Sequence, residues 1–241
     1  KKRGYDMTGA IDRYITAQVT FWKKQREQLH EPIKSNKLPF ITISREYGCN
    51  GYQIAEKIVE ILNSQNPNPP WAAYNKNLLE KLMQDTGLSS SLIETLTSQA
   101  RNKLTDMIQT SFSSFPPQVA IHKKLVETIA TLALNGHVVL VGRGSTMITK
   151  NFSRGFHVRL VAPLNVRVEK ISEEMKLSKQ DAQKLIAEKT RQREEYMKEF
   201  FKIDITDIHN YDLTINDANF SVEETARLII EAMKVKGYLL T

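Results

Sequence analysis

Several arginines and one short glycine-containing loop in this sequence have the residue types and spacing that suit phosphate chemistry. Arg45 and Glu46 follow the apolar run at 40–43, Arg143 stands between two glycines after a second apolar run, and Arg167 lies shortly after Pro163. A guanidinium offers a planar fork to a phosphate, and flanking glycines allow a ligand to approach the backbone closely. The pattern indicates an anion site. The alternative is that Arg143 is held in a structural ion pair.

The loop after the first apolar run contains Gly48, Asn50 and Gly51, which tolerate a positive φ. A strand, such a loop and a helix N-terminus together bind anions through loop amides and the helix dipole. However, the phosphate-loop pattern G-x-x-x-x-G-K-[ST] is broken here. Arg45 replaces the first glycine and Gly51 replaces the lysine. A phosphate-binding loop and an ordinary β–α turn both remain open.

The strongly charged segment at 178–201 is a further candidate. Lys189 and Arg193 share one face by their i,i+4 spacing, whereas Arg191 points elsewhere. Such a run is either a solvated helix face or a set of cations that acts on a ligand. The histidines show no metal-ligand spacing; they are His30, His122, His137, His157 and His209.

Strand patterns alternate with helix patterns along the chain, which predicts a parallel α/β sheet with helices on both faces. The predicted strands are 40–43, 71–74, 138–141, 158–162 and 211–215. Residues 54–62, 78–82, 90–113, 119–134, 163–171 and 178–201 have helical patterns, and a capping box at 221–224 begins a last helix. Ligands in such sheets bind at the carboxyl ends of the strands, where Arg45 and Arg143 fall.

Residues 1–38 form a separate predicted unit, an N-terminal helical extension with one apolar face, and 39–241 form the main domain. The extension either packs on the domain or makes a partner contact, such as one in a homo-oligomer.

Composition narrows the class of protein. With 241 residues, 41% hydrophobic and 25% charged, the chain is typical of a globular domain, and no apolar run reaches membrane-span length. The net charge of +7 favours binding of an anionic partner such as a nucleotide or a nucleic acid, or it simply contributes to solubility. The sequence lacks the interleaved aromatic and basic residues that would favour nucleic-acid binding. The single cysteine, Cys49, excludes an intrachain disulfide and fits a reducing compartment. Without a secretory signal, we expect a cytoplasmic location.

The order of these elements resembles the cytidylate kinase-like branch of the nucleoside monophosphate kinases, within the P-loop kinases. The resemblance extends over about 39–234. It is carried by ITISREYGCNGYQIAEKI, YNKNLLEKL, VVLVGRG, VRLVAPLNVRVEKI, RQREEYMKEFF and YDLTIN, in that order.

This resemblance implies a three-layer fold with helical acceptor-binding and lid insertions, the lid at about 172–204. It implies transfer of the γ-phosphate of ATP, with Mg²⁺, to CMP or a related small acceptor. The residues expected at the donor phosphates are Arg45, Glu46, Gly48, Cys49, Asn50, Gly51, Tyr52 and Gln53. Those assigned to the acceptor are Tyr74, Lys76, Arg143 and Arg167. The expected catalytic arginines are Arg143 and the lid residues Arg191 and Arg193.

The sequence also departs from the family pattern. Gly51 removes the phosphate-loop lysine, for which Arg45 or a lid residue would substitute, and Asn50 replaces a glycine. Val141 stands where cytidylate kinases have an aspartate, so no Mg²⁺ ligand is assigned beyond the candidates Glu46 and Asp212. These departures keep open an alternative, a degenerate kinase fold that binds a nucleotide or a partner without turnover.

Overall fold

The structure, a computed structural model, describes residues 38–67, 69–84, 92–94, 96, 101–102, 104–106 and 120–240. For residues 120–122 it describes the backbone only. The predicted N-terminal helix and its proposed partner contact lie outside the described residues. So does most of the helical pattern at 90–113, of which Leu92, Leu96 and Leu104 are described and buried.

A five-stranded parallel sheet forms the centre of the domain, as the alternating pattern predicts. Its strands are β1 (Phe40–Arg45), β2 (Ala72–Tyr74), β3 (Val138–Val141), β4 (Gly155–Val161) and β5 (Leu213–Asn216). Their order is β2-β3-β1-β4-β5, so β1 is central. β4 begins three residues earlier than predicted because Gly155 already pairs with Phe40 of β1, which the apolar run of β4 alone does not reveal.

Helices cover both faces of this sheet. The helices are α1 (Gly51–Asn63), α2 (Lys76–Gln84), α3 (Ala120–Asn135), α4 (Ser145–Thr149), α5 (Leu164–Met175), α6 (Lys179–Phe201) and α7 (Val222–Val235). Alternate β1 residues point to opposite faces: Ile41 and Ile43 pack with α1 and α7, and Phe40 packs with α2, α3 and α4. The three-layer architecture is therefore the predicted one.

Helices α5 and α6 form a smaller unit with a separate apolar cluster of Val168, Ile171, Ala182 and Ile186. α6 begins after the N-cap Ser178, whose hydroxyl accepts from Asp181 N. It is 23 residues long but buries only Ala182, Ile186 and Met197. It therefore gains little from burial along its length. None of the described helices is both long enough and apolar enough to cross a membrane.

Candidate active site

The turn between β3 and α4 bends sharply at the carboxyl edge of the sheet. Gly142, Arg143 and Gly144 all have positive φ, at 78°, 55° and 71°. A Cβ on Gly142 would collide with Nη1 of Arg45, and one on Gly144 would lie 2.7 Å from the ring of Phe201. The two glycines therefore let a guanidinium and a ring pass against the backbone. Arg143 adopts a conformation that L-residues rarely take, and this places its side chain at the end of the central strands.

A cavity of about 400 Å³ opens at this edge, between the end of β1, the β3–α4 turn and α6. Five cations line it, namely Arg45, Lys76, Arg143, Lys189 and Arg193. Tyr47, Tyr196 and Tyr211 add aromatic walls. In the part of the chain that the structure describes, no aspartate or glutamate lines this cavity. The site is therefore suited to a phosphate-bearing ligand of substantial negative charge.

The arginines at the centre of the cavity repel one another. Burial lowers the pKa of Arg45 to about 10, and the nearby charges of Arg193 and Arg143 contribute to this shift. Burial also lowers the pKa of Arg193, with smaller effects from Arg159 and Arg143. Arg193 Nη1 donates to the backbone oxygen of Arg45 at 3.0 Å, and its guanidinium lies 5.3 Å from the ring centre of Tyr47. An anion between these cations would relieve the repulsion.

Arg143 combines both of the possibilities that the sequence leaves open. It lines the cavity, and its Nη2 also forms an ion pair with Glu80 Oε1 on α2. Lys76 lies 3.9 Å from the same carboxylate oxygen. The Glu80 side chain is 43% exposed, so this pair adds little to stability.

The loop before α1 is held by contacts within the protein. Asn50 donates its backbone N–H to Asp217 Oδ2 at 2.7 Å and its side-chain Nδ2 to the same oxygen at 3.0 Å. Lys170 of α5 donates to Asn50 Oδ1. The other oxygen of Asp217, Oδ1, is buried and has no hydrogen-bond partner among the residues that the structure describes. A carboxylate thus accepts the hydrogen bond of a backbone amide at the N-terminus of α1, where a phosphate loop would hold an anion.

Arg167 supports this loop from below. Its Nε donates to the Ala162 oxygen at 2.8 Å and lies 3.4 Å from Glu46 Oε2, which in turn accepts from Ala162 N. Gly48 has a φ of 102°, and a Cβ there would lie 3.0 Å from Arg167 Cβ. Arg167 and Glu46 consequently brace the loop, and neither lines the cavity.

The other predicted residues are distributed as follows. Tyr74 is fully buried in β2, and Arg191 is exposed and pairs with Glu195 at 2.8 Å. Gly51 is buried at the start of α1, with Tyr52 partly buried and Gln53 exposed after it. Burial, aided by Asp217 and Glu46, raises the pKa of the Cys49 thiol to about 12, so this thiol stays protonated and weakly nucleophilic. The structure thus brings Arg45, Lys76, Arg143 and Arg193 together at one cavity.

Several residues at this edge were not selected from the sequence. Arg159 lies beneath the cavity, Asp217 and Lys170 lie at the loop, and Tyr47 lies against Arg193. A polar residue within the apolar strand VRLVA was the available signal for Arg159. Asp217 and Lys170 gave no such signal, because the turn after β5 and helix α5 supply them from distant parts of the chain.

A cation at this site would depend on few protein ligands. The described residues contain no group of three or more His, Cys, Asp or Glu side chains suited to a metal ion. Mg²⁺ at phosphate sites is commonly held by one or two carboxylates together with the substrate phosphates. Asp217 Oδ1, at the loop before α1, has no hydrogen-bond partner within the described part of the chain, and it would suit that mode of binding.

Comparison with known proteins identifies a family for this chain. The model of the Cytidylate kinase-like family matches residues 40–219. The cytidylate kinase of Methanocaldococcus jannaschii is 32% identical over 128 residues, which cover 51% of this chain and 70% of that protein. The cytidylate kinase of Staphylothermus marinus is 36% identical over 101 residues, covering 41% of this chain and 55% of that protein. The chain thus spans just over half the length of this second relative.

A solved structure shares the fold. The crystal structure of an uncharacterized protein from Eubacterium ventriosum superposes with a TM-score of 0.63 at 19% sequence identity. The match covers 83% of this chain and 99% of that one, and at this identity it speaks for the fold alone.

Proposed function

The chain belongs to the cytidylate kinase-like family, and on that basis we propose that it transfers the γ-phosphoryl group of ATP to CMP or a related small acceptor. The observation that carries this proposal is the cavity with five lining cations at the carboxyl edge of the sheet. Phosphoryl transfer needs positioned positive charge and exclusion of water more than it needs a covalent catalyst.

In this proposal each part of the cavity has a defined task. Arg45, Arg143 and Arg193 surround the transferring group and stabilise the charge on its oxygens. Lys76, beside the buried Tyr74, faces the acceptor phosphate, and the loop from Arg45 to Gln53 binds the donor. Mg²⁺, when bound with ATP, would neutralise phosphate charge, and Asp217 Oδ1 is the oxygen that would hold it.

The lid completes the site. We propose that the segment at 172–204, which includes α6, closes over the bound nucleotides and excludes water. Arg193 already faces the cavity, whereas Arg191 would reach a phosphate only after further movement of α6. A transferase of this kind would work in the cytoplasm, where its nucleotide substrates are found.

Two observations favour a second candidate, a nucleotide-binding module without turnover. Gly51 stands at the phosphate-loop lysine position, and the Asp217 carboxylate occupies the Asn50 amide. Both features weaken the electrostatic attraction of the loop for a donor phosphate.

A kinase screen distinguishes the two candidates. The purified protein is incubated with ATP, Mg²⁺ and each of CMP, dCMP, UMP, AMP and GMP, and the diphosphate products are separated by chromatography. We expect conversion of at least one acceptor. Saturable ATP binding by calorimetry, together with no conversion of any acceptor, would favour the binding module.

A further inference from the structure

Arg159 is a buried arginine in the middle of a sheet strand. It lies on β4 opposite Ser44 of β1, and its exposed fraction is 5%. Because paired residues of neighbouring strands share a face, its Nη1 reaches Ser44 Oγ at 3.0 Å. Its guanidinium lies 5.5 Å from the ring centre of Tyr211. A hydroxyl and an aromatic ring are thus its immediate neighbours.

This guanidinium pairs with no carboxylate among the residues that the structure describes. Arg143 and Arg167, by contrast, pair with Glu80 and Glu46. Asp204 is near enough to Arg159 to be influenced by it, but Thr206 hydrogen bonds are the main reason for the lowered pKa of this exposed carboxyl. A buried charge without a counter-ion is costly. A ligand that supplies the opposite charge nearby would offset that cost.

The two neighbours of Arg159 connect it to the cavity, because Ser44 and Tyr211 both line it. Tyr211 also approaches Ser44 Oγ at 3.2 Å and donates to the Ile205 oxygen at 2.9 Å. Arg159 therefore lies one hydrogen bond below the cavity floor. Its charge adds to the charges of Arg45, Arg143 and Arg193 above it.

We propose that Arg159 is a positioning residue for a phosphate-bearing ligand in this cavity. It fixes the Ser44 hydroxyl and the Tyr211 ring at the floor, and the ligand phosphate balances its charge through the short path across Ser44. This inference rests on the proposed function only in requiring a phosphate group there.

The test compares Arg159→Met with wild type in two measurements, Tm of the ligand-free protein and affinity for metal-free inorganic pyrophosphate by calorimetry. Methionine fills similar space without a charge, so we expect Tm to stay equal or rise. We expect the pyrophosphate affinity to fall about tenfold, because the variant loses the attraction of a buried positive charge close to the bound anion. Arg159→Lys, which keeps the charge, should recover part of that affinity.

Arg154, which immediately precedes β4 and does not line the cavity, gives a matched control. Its guanidinium lies 5.3 Å from the ring centre of Tyr238, and its Nη2 donates to the Tyr238 oxygen at 2.8 Å. Arg154→Met should lower Tm and leave pyrophosphate affinity unchanged.

Three results would overturn the inference: Arg159→Met failing to fold or losing Tm as the Arg154 variant does, Arg159→Met binding pyrophosphate as wild type does, or wild type not binding it. The proposed function fails separately, if wild type binds pyrophosphate through Arg159 but converts no acceptor.

Discussion

Arg143 is the residue whose predicted surroundings agree most closely with the structure. The two flanking glycines predicted a close approach at this turn, and the structure shows what approaches: Arg45 from β1 and Phe201 from α6. The Glu80 ion pair on α2 was one of two interpretations that the sequence allowed. Because Arg143 also lines the cavity, an anionic acceptor would compete with Glu80 for the same guanidinium.

Arg143→Ala should weaken acceptor binding by about 1.5–3 kcal/mol, the range for a hydrogen bond to a charged group. The fold should persist, because the lost ion pair is partly exposed and contributes at most about 1 kcal/mol. Calorimetric titration with the acceptor measures the first effect, and urea unfolding measures the second. Arg227→Ala, which removes an exposed pair with Glu223 on α7, is the control. Unfolding of the Arg143 variant, with unchanged acceptor affinity of the folded fraction, would make Arg143 structural.

Asp217→Asn should change how strongly Mg²⁺ improves ATP binding. The wild-type carboxylate faces the loop amide of Asn50 and repels metal-free ATP, whereas a bound cation would compensate for its charge. We therefore expect the variant to bind ATP more tightly in EDTA and to gain less from Mg²⁺. Glu231→Gln, at an exposed site on α7, is the control. An unchanged ratio of the two affinities would remove Asp217 from the donor site.

Among the helices, α6 shows most clearly which features the sequence predicted and which it did not. Its length and charge predicted the helix, and the structure places it at Lys179–Phe201. The sequence spacing separated Arg191 from Arg193 correctly, since Arg193 lines the cavity and Arg191 pairs with Glu195 in solvent. The inward orientation itself could not be predicted, because it depends on Tyr47 in the first loop and on the α5–α6 cluster.

Arg193→Ala should lower turnover by about 10²–10³-fold, the cost of removing one preorganised donor to a developing charge. Arg191→Ala should lower turnover less, because its side chain faces solvent in this structure. Both variants should change ground-state nucleotide affinity less than they change kcat. Steady-state kinetics and calorimetry together test this expectation. Full turnover by the Arg193 variant would indicate that α6 is only a solvated charged helix without a catalytic role.

The lid proposal also predicts the local stability of α6. With three buried residues among 23, its centre should exchange amide hydrogens faster than β1 in the free protein, and nucleotides should slow that exchange. Hydrogen exchange measured by mass spectrometry, with α7 as the reference helix, decides this. Protection of free α6 equal to that of β1 would contradict a lid.

Tyr47 should act through Arg193, since its ring lies against the guanidinium and packs with the α5–α6 cluster. Tyr47→Leu should weaken transition-state stabilisation by about 0.5–2 kcal/mol, the range of cation–π contacts, and Tyr47→Phe should have little effect. In an Arg193→Ala background, Tyr47→Leu should cost nothing further. Tyr238→Leu, at the matched contact with Arg154, is the control. Additive losses in kcat/KM would refute the coupling.

At the scale of the whole molecule, the alternation of strands and helices was sufficient to predict the parallel sheet and its two helical layers. It was also sufficient to place Arg45 and Arg143 at one edge, because parallel strands end together. The loop contacts required tertiary structure: Asn50 meets Asp217, 167 residues away in sequence, and Lys170, 120 away. Local sequence patterns do not reveal contacts between residues so far apart in the chain, so the contacts of Asp217 and Lys170 with this loop were not predicted.

Phosphoryl transfer at the five-cation cavity can be measured by following the label of γ-³²P-ATP into the acceptor diphosphate. Wild type with Mg²⁺ should transfer label to CMP or a related monophosphate. Arg45→Ala, which removes the cation between β1 and the β3–α4 turn, should transfer it at least about a hundredfold more slowly. Equal transfer by both proteins, or none by wild type with any monophosphate, would contradict phosphoryl transfer at this cavity.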